Sequence, residues 1–99
     1  MYSYNEEYKI SPHSYRELYH YCLRYPHEFK NKKEKDCELI EQTAMETDNA
    51  LYKPLLYNVT SGVSYDQMKA MGIEIFCGKN QFYDKRQKFF YLLNKRKYE

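Results

Sequence analysis

Three observations on this 99-residue chain predict an all-α protein of about five helices. Gly and Pro are scarce, three of each, too few for the many turns of a strand-rich fold. Apolar residues recur three and four apart in several stretches, a spacing that gathers them on one face of a helix. Helix-start signals precede those stretches: Ser11 with Pro12, and Ser64 with Gln67 three residues on.

The length fits one domain with a single modest core. Within it, residues 1–10 read as a flexible arm, 11–62 as a helical support and 63–97 as a helix-turn-helix. The arm is polar and Tyr-rich without periodicity, with Tyr2 and Tyr4 available to dock on the core. Ser11 caps the first helix and Pro12, whose missing N–H costs nothing in a first turn, opens it. Tyr15, Leu18, Tyr19, Cys22 and Leu23 form its inner stripe, and Pro26 stops it. From about Glu28 to Glu46 a charged run, KNKKEKD, gives way to Cys37, Ile40 and Ala44, flanked by Leu39 and Thr43. That helix firms up near Lys33, and the mixed signs of the run mark a solvated face.

Asp48 is the next cap candidate, ahead of a stripe of Leu51, Leu55, Leu56 and Val59. Pro54 lies inside that stripe, so either the helix starts at about Lys53 or it kinks there. Thr60, Ser61 and Gly62 close it. Ser64 and Gln67 then form a capping box, each side chain satisfying a backbone N–H of the other. A short helix over 65–71 should end at Gly72, in a left-handed conformation that a side chain disfavours. The apolar segment Ile73 to Gly78 predicts a buried turn. From Lys79, Phe82, Phe89 and Leu93, widened by Tyr83 and Phe90, give a long last helix its core face. Asn80, Asp84, Gln87 and Lys88 fall on the opposite face.

Net charge is only +2, but it is unevenly spread. Residues 1–50 hold seven basic and ten acidic side chains, residues 51–99 nine and four. Between Lys79 and Lys97 stand seven basic residues (Lys79, Lys85, Arg86, Lys88, Lys95, Arg96, Lys97) and one acid, Asp84. Such a stripe supplies the attraction to phosphate that nucleic-acid binding needs. If about four phosphates are neutralised, log–log salt dependence should have a slope near −3.6.

Enzymatic chemistry is not expected. The sequence has no glycine-rich phosphate loop, no G-x-S-x-G and no paired-carboxylate signature, and no cofactor is implied. His13, His20 and His27 are seven apart with Cys22 nearby, but Pro26 breaks the helix continuity a zinc site on one face requires, so no metal site is expected. Cys77, at a helix start beside Gly78, has the setting of a thiol with a lowered pKa, yet no His or acid is near in sequence to partner it. A small residue filling the turn is the commoner role. Three cysteines without a C-x-x-C pair read as reduced thiols. With no apolar run of about 18 residues, and with a start, MYSYNEEYK, unlike a signal peptide, a cytoplasmic protein is expected.

The runs VTSGVSYDQM from Val59 to Met68 and CGKNQFYDKRQKFFYLLNKR from Cys77 to Arg96 resemble the carboxy-terminal half of small phage and prophage transcription regulators of the ArpU/RinA type. SYRELYHYCLRYP from Ser14 to Pro26 and IEQTAME from Ile40 to Glu46 extend the resemblance. Two departures stand out: Phe76 occupies the place of a proline before the Cys-Gly pair, and the segment after Pro26 is short. The resemblance implies a helix-turn-helix like region 4 of sigma factors, with Lys79, Asn80, Gln81 and Asp84 at the groove-facing start of the last helix. It also implies a sequence-specific regulator of phage genes in the cytoplasm of a bacterial host.

On this reading double-stranded DNA is the partner. Asn80 and Gln81 read adenine, while Lys79, Lys85, Arg86 and Lys88 meet phosphate or guanine, with phosphate the target of Arg86. Lys95 and Arg96 complete the basic stripe. A homodimer is one way to supply the affinity that a single helix-turn-helix lacks. The alternative is a phage-encoded protein-binding module that engages RNA polymerase or inhibits a host defence protein, for which a Tyr-rich surface is equally suited.

Overall fold

A computed structural model of the chain describes residues 6–25 and 34–98. Among these, five α-helices follow a short 3-10 turn at Glu6–Tyr8: α1 (Pro12–Leu23), α2 (Glu34–Thr47), α3 (Tyr52–Ser61), α4 (Tyr65–Ala70) and α5 (Lys79–Tyr98). No strand is present among the described residues. The all-α architecture with five helices is therefore the observed one. No helix among the described residues is long and apolar enough to cross a membrane.

Local signals act as expected at most helix ends. The Ser11 hydroxyl accepts from the Ser14 N–H at 3.0 Å with Pro12 in the first turn. Both halves of the Ser64–Gln67 capping box are made. Gly62 and Gly72 take φ of +78° and +84°, the left-handed region that lets a helix turn away. Pro54 is the third residue of α3, where its missing N–H deprives no carbonyl of a helical bond.

Asp48 departs from expectation. Its Oδ1 accepts from the N–H groups of Ala50 and Leu51, so it closes the turn before α3, and Leu51 stands at the helix start with no side-chain cap. An Asx turn satisfies the same two donors two and three residues on, without the carboxylate entering the helix.

The core is built around α5, which packs on α1, α2, α3 and the 3-10 turn. Phe82, Phe89 and Leu93 are fully buried and Phe90 nearly so. Opposite them lie Leu18 and Cys22 of α1, Ile40 and Ala44 of α2, Leu55 and Val59 of α3, and Met68 of α4. Tyr15, assigned to the inner stripe of α1, is 36% exposed, whereas Tyr21 is buried. The reason is α2: Tyr21 and Tyr25 turn toward it and donate to Asp36 (2.6 Å) and Glu41, a contact that the periodicity of α1 alone does not contain. The buried hydroxyls of Thr43 and Thr47 donate to carbonyls four residues back, which removes the cost of taking them out of water.

Two further expectations change. The arm is docked from residue 6 onward: the Tyr8 ring lies 5.4 Å from that of Tyr91, and Ile10 packs against the core. Tyr2, Tyr4, Pro26, His27 and the lysines at 30, 32 and 33 lie outside the described residues. The segment between α4 and α5 is only partly buried. Ile75 is tucked in at 6% exposure, but Phe76 is 72% and Met71 59% exposed. This connection spans residues 71–78, longer than the three or four residues of a standard helix-turn-helix.

Candidate nucleic-acid interface at the start of the long helix

The first turn of α5 is one of two freely presented parts of the predicted site, the other being its last turn. Lys79, Asn80 and Gln81 are exposed, while Phe82, the next residue, is fully buried against the Tyr65 ring at 5.6 Å. The incoming backbone is held as well. The Tyr65 hydroxyl donates to the Cys77 carbonyl at 2.8 Å, and the Phe82 N–H to the Gly78 carbonyl at 3.0 Å. Three polar side chains thus stand on a turn whose base is fixed in the core.

Most of the basic side chains have acids or rings as neighbours that the last helix itself does not supply. Lys79 bonds Asp66 of α4 at 2.6 Å, and that hydrogen bond, with the charge behind it, raises the ammonium pKa. Lys85 lies 3.5 Å from Asp48. Arg96 pairs with Glu46 of α2 and reaches the Thr43 hydroxyl at 3.4 Å. Seven positives against one acid, counted along the helix, therefore overstates the field at its surface.

Arg86 differs most from its predicted role as a phosphate contact. Its Nε donates to Oδ1 of the buried Asn58 at 2.8 Å, and Nη1 to the Tyr15 hydroxyl at 2.7 Å. Its guanidinium carbon lies 5.0–5.6 Å from the rings of Phe90, Tyr15 and Tyr19. Planar guanidinium stacks on rings and bonds through its edge at once, and here it ties α1 and α3 to α5. These contacts give the half-buried Arg86 a structural role where α1, α3 and α5 meet.

Lys88, Lys95 and Lys97 have no carboxylate within salt-bridge distance among the described residues. Lys95 sits 5.2 Å over the Tyr91 ring and Lys97 4.2 Å over the Tyr21 ring, contacts that leave an ammonium's charge unneutralised. By helical spacing Asn80, Asp84, Lys88 and Lys95 share the face turned from the core. Asp84 and Lys88 are half-buried there, because the middle of α5 is flanked on several sides. The site accordingly separates into an amide-bearing start and a lysine-bearing second half.

Beside the first turn an open groove of about 500 Å³ is lined by Leu51, Phe76, Asn80, Gln81, Asp84 and Lys85, among others. The exposure of Phe76 there was not anticipated; the single sequence signal for it is that three apolar residues, Ile73, Ile75 and Phe76, crowd a connection too short to bury them all. Cys77 also differs from expectation. Burial and the Asp48 charge raise its thiol pKa, more than Lys85 and Lys69 lower it. His13 lies 3.3 Å from Glu17, and no cluster of three or more potential metal-ligating His, Cys, Asp or Glu side chains occurs among the described residues.

Comparison of the chain with protein-family models, with curated proteins and with solved structures finds no match.

Proposed function

We propose that the protein is a non-enzymatic, double-stranded-DNA-binding regulator of the bacterial cytoplasm that reads bases with the first turn of α5. The carrying observation is the exposed trio Lys79, Asn80 and Gln81 standing immediately before the fully buried Phe82. Because the helix start is fixed in the core, the ordering cost of entering a groove is confined to the side chains themselves. Amides there offer the paired donor and acceptor that adenine N7 and N6 require. Asp84, an acceptor one turn on, fits a cytosine amino group. Lys88, Lys95 and Lys97 are the phosphate contacts. Asn80 and Lys95 are separated by about 22 Å along the helix, more than a major groove's width of about 12 Å, so the two ends of α5 meet different parts of a duplex. The resemblance to ArpU/RinA-type regulators points the same way.

The test begins with selection of a preferred duplex from a random-sequence pool. Asn80→Ala and Gln81→Ala should then weaken binding to the selected duplex by about 1–3 kcal/mol and leave random DNA nearly unchanged. Lys88→Ala and Lys95→Ala should weaken both alike. Equal losses on both duplexes for the amide variants would mean that this turn does not read bases.

A second reading is favoured by the exposed Phe76 and Met71: a protein-binding module for RNA polymerase or a host defence protein. Aromatic residues and Met are enriched at such interfaces. Failure to select any duplex, together with loss of a protein partner in Phe76→Ala, would establish that reading instead.

A further inference from the structure

Phe76 is exposed although everything around it is fastened. On one side Ile75 is buried in the core; on the other the Cys77 carbonyl accepts from Tyr65. Upstream the Ile73 N–H donates to the Met68 carbonyl at 3.0 Å. The ring is 72% exposed, the highest value among the exposed large apolar side chains of the described residues, and it stands on a backbone anchored on both sides. It also shares a groove with the amides of Asn80 and Gln81.

The chemistry of that trio is specific. In the major groove a T·A pair presents, side by side, the adenine N7 acceptor and N6 donor, the thymine O4 acceptor and the thymine C5-methyl. An amide matches the adenine pair of groups, and an apolar ring matches the methyl. Where the pair is C·G, the same edge offers a cytosine N4 donor, and a phenyl ring leaves it without an acceptor. Resting on the DNA-binding reading above, we infer that Phe76 is a specificity residue which packs on a thymine methyl next to the base read by Asn80 or Gln81. It selects thymine at one position of the site. The carboxylates of Asp48 and Asp84 line the same groove. Asp48 is engaged by Lys85, and Asp84, which makes no ion pair among the described residues, can accept from a neighbouring cytosine.

Deoxyuridine in place of thymidine removes the methyl and nothing else, so it isolates the contact. Each thymine of the selected duplex is replaced in turn, and Kd is measured for the parent and for Phe76→Ala. At one position the parent should lose roughly fourfold, the value of one methyl group withdrawn from water. Phe76→Ala should bind the thymine and uracil duplexes equally, and Phe76→Leu should recover part of the difference. All variants should melt like the parent, because the ring is outside the core. If the parent binds the duplex yet every thymine-to-uracil change affects parent and Phe76→Ala alike, the inference is overturned and the DNA reading stands. If no duplex is bound, the DNA reading falls and this inference falls with it.

Discussion

Replacing Arg86 with Met separates the two roles that this residue has been given. The substitution keeps an unbranched apolar stem and removes the guanidinium, and with it the bonds to Asn58 and Tyr15 and the contacts to three rings. Hydrogen bonds from a charged donor contribute about 1.5–3 kcal/mol each. Asn58 is only 4% exposed, so its Oδ1 would be left buried without a donor, at about 1–3 kcal/mol. These terms overlap, and a net loss of about 3 kcal/mol is the expectation, a large share of the roughly 5–15 kcal/mol that holds a domain together. With a urea m-value of about 1.5 kcal/mol/M, the unfolding midpoint should fall by about 2 M. DNA affinity measured where the variant is still folded should keep the parent's salt slope. Lys88→Met, by contrast, should leave the midpoint in place and make the slope shallower by about 0.9. An Arg86→Met protein that unfolds like the parent while its salt slope drops by about 0.9 would refute the structural assignment and return Arg86 to the phosphate-contacting face.

Phe89→Ala should cost roughly 3–5 kcal/mol, since the ring is fully buried and lies edge-on to Phe90 at 5.2 Å; chemical denaturation at the parent's midpoint would expose a different role for the stripe. Gly72→Ala should cost about 1 kcal/mol, the penalty for a side chain at positive φ, because nothing lies within 4 Å of the added Cβ. Gly62→Ala should cost more, since its Cβ would also stand 3.3 Å from the Tyr19 hydroxyl; thermal melting of the two variants gives the order, and a gain in stability in either would contradict its left-handed geometry.

Features of the fold that depend on near neighbours in the chain were legible in the sequence. Ser11, Ser64 with Gln67, Gly62 and Gly72 mark helix ends through contacts within a few residues, and Phe82, Phe89 and Leu93 mark a face through helical spacing alone. What sequence reading missed depends on residues brought together from far apart. Asp66 and Glu46 on other helices and Asp48 in the turn before α3 pair with Lys79, Arg96 and Lys85, so a charge count restricted to α5 overstated its field. Arg86 is turned inward by Asn58 and Tyr15, which lie 28 and 71 residues away. Tyr21 faces α2 because Asp36 is there to accept a hydrogen bond from its hydroxyl. Phe76 escaped notice for the opposite reason: apolar residues in a turn ordinarily go inward, and only packing shows which of them has no room.

A salt titration of binding to a random-sequence duplex tests the central claim most directly. With Lys79, Lys85, Arg86 and Arg96 engaged within the fold, three lysines of α5, Lys88, Lys95 and Lys97, remain on the proposed interface to release counterions. The slope of log K against log salt should accordingly be near −2.7, or about 0.9 per phosphate, rather than the roughly −3.6 given by four phosphates. Absence of binding at about 50 mM salt, where nonspecific DNA binders still hold, would contradict DNA binding itself.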